Sequence, residues 1–172
     1  MRLLNLLRHR EIADLEVGEL VLRTIGRSPG PALVIDRSSQ GVTFGVLRHP
    51  ELTRPISYLV QSGSSLSFGT SWALEILPAS LSPPTRHYQE TTQPGDLLIG
   101  KEGTMVVLDD SHAKPAAPFG FNVDTLALVA LPEEAARCAG WRIWAHKDDW
   151  RRPSATPVFE WVAPSPTAAI VS

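Results

Sequence analysis

Short apolar runs closed off by Gly, Pro, Ser or Asp recur along this chain roughly every ten residues, a spacing that suits strands joined by turns. Each run is too short to make a stable helix alone, so the pattern constrains the fold more tightly than any motif does. The expected strands of a first set are ELVLRTI (19–25), PALVIDR (31–37), GVTFGVLR (41–48), ISYLVQS (56–62) and SWALEILP (71–78). A second set follows: DLLIG (96–100), TMVVLDD (104–110), GFNVD (120–124), TLALVAL (125–131) and WRIWAH (141–146). The fold class expected from this pattern is mostly β.

The two sets repeat three landmarks in one order. VGELVL (17–22) answers PGDLLI (94–99), ALVIDRSS (32–39) answers MVVLDDSH (105–112), and TFGV (43–46) answers PFGF (118–121), at offsets of 77, 73 and 75 residues. Loops tolerate insertions where strands do not, so the pattern reads as an internal duplication. The expected architecture is two similar small SH3-like barrel halves, or one larger barrel or sandwich built from them. Residues 1–80 form the first half, 81–94 a Pro-rich linker, 95–163 the second half and 164–172 a flexible tail. Two short helices are expected. One leads the chain, from the spacing of Leu3, Leu4, Leu7, Ile12 and Leu15. The other lies near 132–139, where Pro132, Glu133 and Glu134 suit a helix start and Gly140 a helix end.

With 43% hydrophobic residues, a chain of 172 residues can bury a core. The net charge of −2 gives no global attraction to nucleic acid or to an anionic membrane surface. One cysteine, Cys138, excludes an intrachain disulfide and a multi-cysteine metal site. The leucine-rich start is broken by Asn5, Arg8, His9 and Arg10, too early for a signal-peptide core or a membrane span, so the expected location is cytoplasmic. No cofactor is expected. A homodimer through exposed sheet edges is compatible with a small β fold.

The stretch GELVLRTIGRSPGPALVID (18–36) resembles the opening of PemK/MazF-type toxins, RNA-cleaving proteins with an SH3-like barrel, in which a Gly-Asp-Ile-Val strand leads through a loop to Arg-Pro-Ala-Leu-Val-Ile. The likeness spans some twenty residues. It implies a barrel strand pair and an alternative function in binding or cleaving RNA. The position matching the family's catalytic arginine is Gly30, followed by Pro31, the intervening loop is shorter, and the later Ser or Thr has no counterpart. Without that cation, charge developing on a phosphate loses its main stabiliser.

Two other stretches carry chemistry. Asp109, Asp110, Ser111 and His112 place carboxylates, a hydroxyl and an imidazole at a strand end, from which a metal-dependent hydrolase could draw Asp109, Asp110 and His112. The first copy keeps Asp36 and Ser38 but has Arg37 and Ser39 in place of Asp110 and His112, which favours a turn-capping role. GWRIWAHKDDWRRP (140–153) holds three tryptophans, four basic residues and a histidine. On a strand, Trp141 and Ile143 share one face and Arg142, Trp144 and His146 the other. The expected function is therefore a non-catalytic binding module that recognises a protein or small ligand through Arg142, Trp144, His146, Trp150 and Arg151. The Ser-rich QSGSSLSFGTS (61–71) has neither a nucleophile elbow nor a phosphate loop and is expected to be a mobile hairpin loop.

Overall fold

The computed structural model describes residues 7–110 and 118–163. The ten expected runs contribute β2 (Leu20–Ile25), β3 (Ser28–Ser38), β4 (Gly41–Val46), β5 (Ile56–Val60), β7 (Ala73–Ile76), β8 (Leu97–Gly100), β9 (Gly103–Asp109), β10 (Pro118–Asn122), β11 (Ala127–Val129) and β13 (Gly140–Trp144). Four further strands join them: β1 (Arg8–Glu11), β6 (Ser64–Gly69), β12 (Ala136–Cys138) and β14 (Phe159–Val162). Helical geometry among the described residues is limited to single 3-10 turns at Ile12–Asp14, Pro78–Ser80, Tyr88–Glu90 and Asp149–Arg151. No helix among them is long and apolar enough to cross a membrane.

One sheet runs β1-β6-β2-β3-β4-β5-β9-β10-β11, with β8 on the other side of β9 and β12 beside β8; a second sheet runs β14-β13-β7. The strand order β6-β2-β3-β4-β5 is matched by β12-β8-β9-β10-β11. The expected barrels do not close. β5 does not return to β6 but meets β9 of the other half through the parallel pair Ile56 and Asp109, which leaves the main path with free ends at β1 and β11.

The matching orders are accompanied by matching bonds. Gly18 (φ +90°) donates to the Val34 carbonyl and Val34 to that of Glu19; Gly95 (φ +105°) donates to Val107 and Val107 to Asp96. The indoles of Trp72 and Trp141 each donate to the glycine carbonyl, Gly18 and Gly95 respectively, at 2.7 Å. Each acid following the glycine is buried. The Glu19 carboxylate accepts the Glu16 amide at 2.9 Å and the Ser67 hydroxyl; the Asp96 carboxylate accepts the Gln93 amide at 3.0 Å and Arg137 Nε at 2.6 Å. The third landmark pair falls out of step. A bulge in β3 between Val34 and Asp36 sets Phe44 opposite Val34, whereas Phe119 stands opposite Leu108 and Gly120 opposite Val107.

Burial follows the alternation of β3 and β9. Leu33, Ile35, Val106 and Leu108 enter a central core shared by both halves with Phe121, Trp141, Ile143 and Phe159. Ala32 and Val34 face a second cluster closed by Ile12 and Leu15, and Met105 and Val107 a third closed by Tyr88 and Ala135.

Among the described residues neither expected helix forms. Arg8–Glu11 pairs with β6, and Ile12 and Leu15 are buried from a strand end and a 3-10 turn; residues 1–6 lie outside the described residues. In place of a helix at 132–139 the chain bends at Glu133 and Glu134 and then forms β12, with Cys138 opposite Leu97 and Ala136 opposite Ile99. Eight residues of weak helix signal are outweighed by the backbone of β8, which is buried at Leu97 and Leu98 and needs a partner strand. The Pro-rich stretch 81–94 lies along the other side of β12 through bridges from Leu81 to Cys138 and Thr85 to Ala135, and its Tyr88 donates to the Pro132 carbonyl. The Ser-rich stretch supplies β6 rather than a loop. Ser65 and Ser67 point inward, Ser67 donating to the buried Glu19 carboxylate, while Leu66 is exposed.

Candidate functional site

β13 alternates as the sequence predicts. Trp141 and Ile143 are fully buried, and the Trp141 ring meets Phe159 edge-on at 5.1 Å. The opposite face is not an open recognition surface. Arg142 lies between Glu160 at 3.1 Å and Glu75 at 3.8 Å. The hydrogen bond to Glu160 holds its guanidinium pKa above the ordinary value, so the group stays charged and engaged. Trp144 is only 7% exposed and donates its indole N–H to Glu75 at 2.9 Å. The expectation of an exposed Trp144 is thus overturned, because β7 pairs along β13 and brings Glu75 opposite Arg142, within reach of the indole.

Beyond β13 the remaining candidates come together on a tightly bonded turn. The Asp149 carboxylate is buried, accepts the His146 amide at 3.1 Å and pairs with Arg152 at 3.3 Å. Backbone bonds from Asp149 to His146 and from Arg152 to Asp149 close the turn, and the Lys147 amide ties it to the Ser71 carbonyl at 3.0 Å. His146 is partly exposed and accepts the Asp148 amide on Nδ1 at 3.3 Å. Trp150 stands 51% exposed, with the Arg151 guanidinium 4.7 Å from its ring centroid. Such a stack contributes about 0.5–1 kcal/mol at an exposed site, a bias of a few-fold toward the stacked arrangement.

The carboxylates at the end of β9 are differently placed. Asp109 is buried and pairs with Arg54 Nε at 2.5 Å, and its backbone amide donates to Pro55. No group of three or more His, Cys, Asp or Glu side chains suited to a metal occurs among the described residues; His112 lies outside them. Asp110 borders a groove of about 560 Å³ whose apolar walls include Ile35, Leu59, Phe119 and Leu128. Sequence patterning gives no sign of this groove, since its walls come from strands far apart in the chain. Gly30, at the position of the toxin arginine, lies so close to the Arg48 carbonyl oxygen that a Cβ would collide with it. His49 is buried and occupied, with Nε2 2.8 Å from the Ile25 carbonyl and Nδ1 accepting the Glu51 amide.

Compared with models of known protein families, with curated proteins and with solved structures, the chain matches none.

Proposed function

We propose that this protein is a non-catalytic recognition module that binds a protein partner through Trp150 and Arg151. The observation that carries the reading is a half-exposed tryptophan, stacked by an arginine, on a turn pre-organised by the buried Asp149. Exposed aromatic and arginine side chains with little freedom to lose are the residues that dominate binding energy at interfaces. Arg152 is paired with Asp149, and Lys147 is offset by the exposed Asp148, so the Arg151 guanidinium is the cation the turn offers a partner, and a carboxylate is its expected complement. His146 and Arg142 support the turn and the sheet beneath it.

We further infer that the frame is an internal duplication of one unit of five main-sheet strands. The order of fifth, first, second, third and fourth strand in each half is that of SH3-like folds, and the paired glycine, acid and tryptophan bonds support common descent of the halves.

The second reading is single-stranded RNA bound by the same turn, favoured by the Arg151 and Trp150 stack. Cleavage of RNA by the toxin chemistry is disfavoured, because Gly30 has no room for the arginine it needs.

The test is a capture experiment with wild type and Trp150→Ala, followed by titration of the captured partner against both. Trp150→Ala should retain the wild-type melting temperature and weaken binding by about 30-fold, the effect of a hot-spot residue. Unchanged affinity in both Trp150→Ala and Arg151→Ala would sink the proposal. Salt-sensitive binding of a polypyrimidine oligonucleotide, lost in the same variants, would select RNA.

A further inference from the structure

We propose that the free edge of β7 is a docking groove for an extended segment of a partner protein, apolar at alternate positions, which adds to the three-stranded sheet as an antiparallel strand. The proposal rests on the correspondence between the halves and not on the Trp150 turn.

β7 and β13 pair with Leu74 opposite Ile143. The Leu77 amide donates to the Gly140 carbonyl at 3.0 Å, so bonding positions alternate from there, and the backbone groups of Leu74 and Ile76 point away from β13. Among the described residues, β13 is the only strand beside β7. On the far side of β13 the equivalent edge is filled. There β14 sets Trp161 opposite Trp141 and Phe159 opposite Ile143.

The surroundings correspond as well. β14 lies between β13 and the loop after β4, where Arg48 donates to the Glu160 carbonyl at 2.7 Å and lies 5.2 Å from the Phe159 ring centroid. In the other half, the turn after β10 walls a groove of about 500 Å³ beside β7, lined by Gly18, Trp72, Leu74, Ile76 and Leu126. Leu126 sits at φ +54°, a costly conformation for a residue with a side chain. Its side chain covers Gly18, where an added Cβ would come within 2.8 Å of it, as the Trp161 ring covers Gly95. The place over the glycine is therefore taken by the chain itself. Among the described residues, what stays open is the place opposite Leu74, where Phe159 stands in the other half.

The occupant's chemistry follows from that counterpart. Main-chain bonds to Leu74 and Ile76 would give affinity, and a bulky apolar side chain set against Trp72 and Leu74 would give specificity. A peptide of residues 157–163 with alanine in place of the tryptophan, PVFEAVA, is the probe, since Phe159 fills the matching edge and Leu126 already takes the tryptophan's place over Gly18.

Titrated into the full chain, the peptide should bind saturably and stoichiometrically. Methylating the peptide nitrogen of its phenylalanine, the residue set opposite Leu74, should weaken binding at least about tenfold, a loss of about 1.4 kcal/mol. Ile76→Pro, which removes an outward N–H and leaves the ladder to β13 intact, should do the same, and Trp150→Ala should leave binding unchanged. If Ile76→Pro fails to fold, the methylated peptide decides alone. No saturable binding at millimolar peptide, or binding indifferent to methylation, would overturn the proposal. So would loss with Trp150→Ala but not with Ile76→Pro, which would move the peptide to the turn. A wild-type dimer that becomes monomeric in Ile76→Pro would assign the edge to a second copy of this chain and equally overturn it.

Discussion

Trp161 lies so tightly over Gly95 that no side chain fits beneath its ring, and Gly95 also holds φ at +105°. Both conditions demand glycine. Gly95→Ala should lose about 2–4 kcal/mol from overpacking and backbone strain together. Gly26, at φ +61° with open space around its Cβ position, isolates the backbone part, and Gly26→Ala should cost about 1 kcal/mol. Urea unfolding of the two variants checks the difference; equal losses would show that Trp161 can move aside.

The two buried acids differ in how much they depend on an arginine. Asp96 is fully buried, and Arg137 lies 2.6 Å away and mostly covered. Arg137→Ala should cost about 3–5 kcal/mol, the loss typical of breaking a buried pair. Arg10 lies 3.5 Å from Glu19 and is a third exposed, and Glu19 keeps its bond from Ser67. Arg10→Ala should cost no more than about 1 kcal/mol. Chemical denaturation of both variants tests the ordering.

Trp144 is held by one polar contact, to Glu75. Glu75→Ala leaves a buried indole N–H unmatched and should lower stability by about 1–3 kcal/mol, whereas Glu75→Gln keeps an acceptor and should cost less. Thermal unfolding separates them.

Cys138 is buried, with Sγ 3.0 Å from the Gly140 carbonyl oxygen. It should react with a thiol reagent only as fast as the fold opens, and fully in guanidinium chloride. Rapid labelling of the native protein would show that the arm at 81–94 lifts from β12 without unfolding.

The strands called from punctuation appear where apolar runs enter the cores, as ELVLRTI and TMVVLDD do, because burial and turn chemistry agree locally there. Of the four strands missed, β1, β6 and β12 depend on partners about 40 or more residues away in sequence. β6 places Ser65 and Ser67 inward and Leu66 outward, an inverted pattern in which only Ser67 is accounted for, by the Glu19 carboxylate on the neighbouring strand's approach. β12 carries helix-like signals at Pro132 and Glu133 that yield to the backbone demand of β8. The same limit governs the candidate site. Trp150 is legible as an unusual residue in an unusual stretch, yet Trp144 looks the same on a strand template, and Glu75, which draws Trp144 inward, lies 69 positions away. Alternation gives a side chain's face and not what that face meets.

The pairing of β7 with β13, and the central core that takes Leu33 from one half and Phe121 from the other, make each half the solvent-excluding cover of its neighbour. The chain thus achieves within one polypeptide the assembly that two separate subunits would need a bimolecular encounter to reach. Its melting temperature should not vary with protein concentration. A backbone cut between residues 80 and 81 would make the same contacts concentration-dependent, exchanging an intramolecular closure for a dissociable heterodimer.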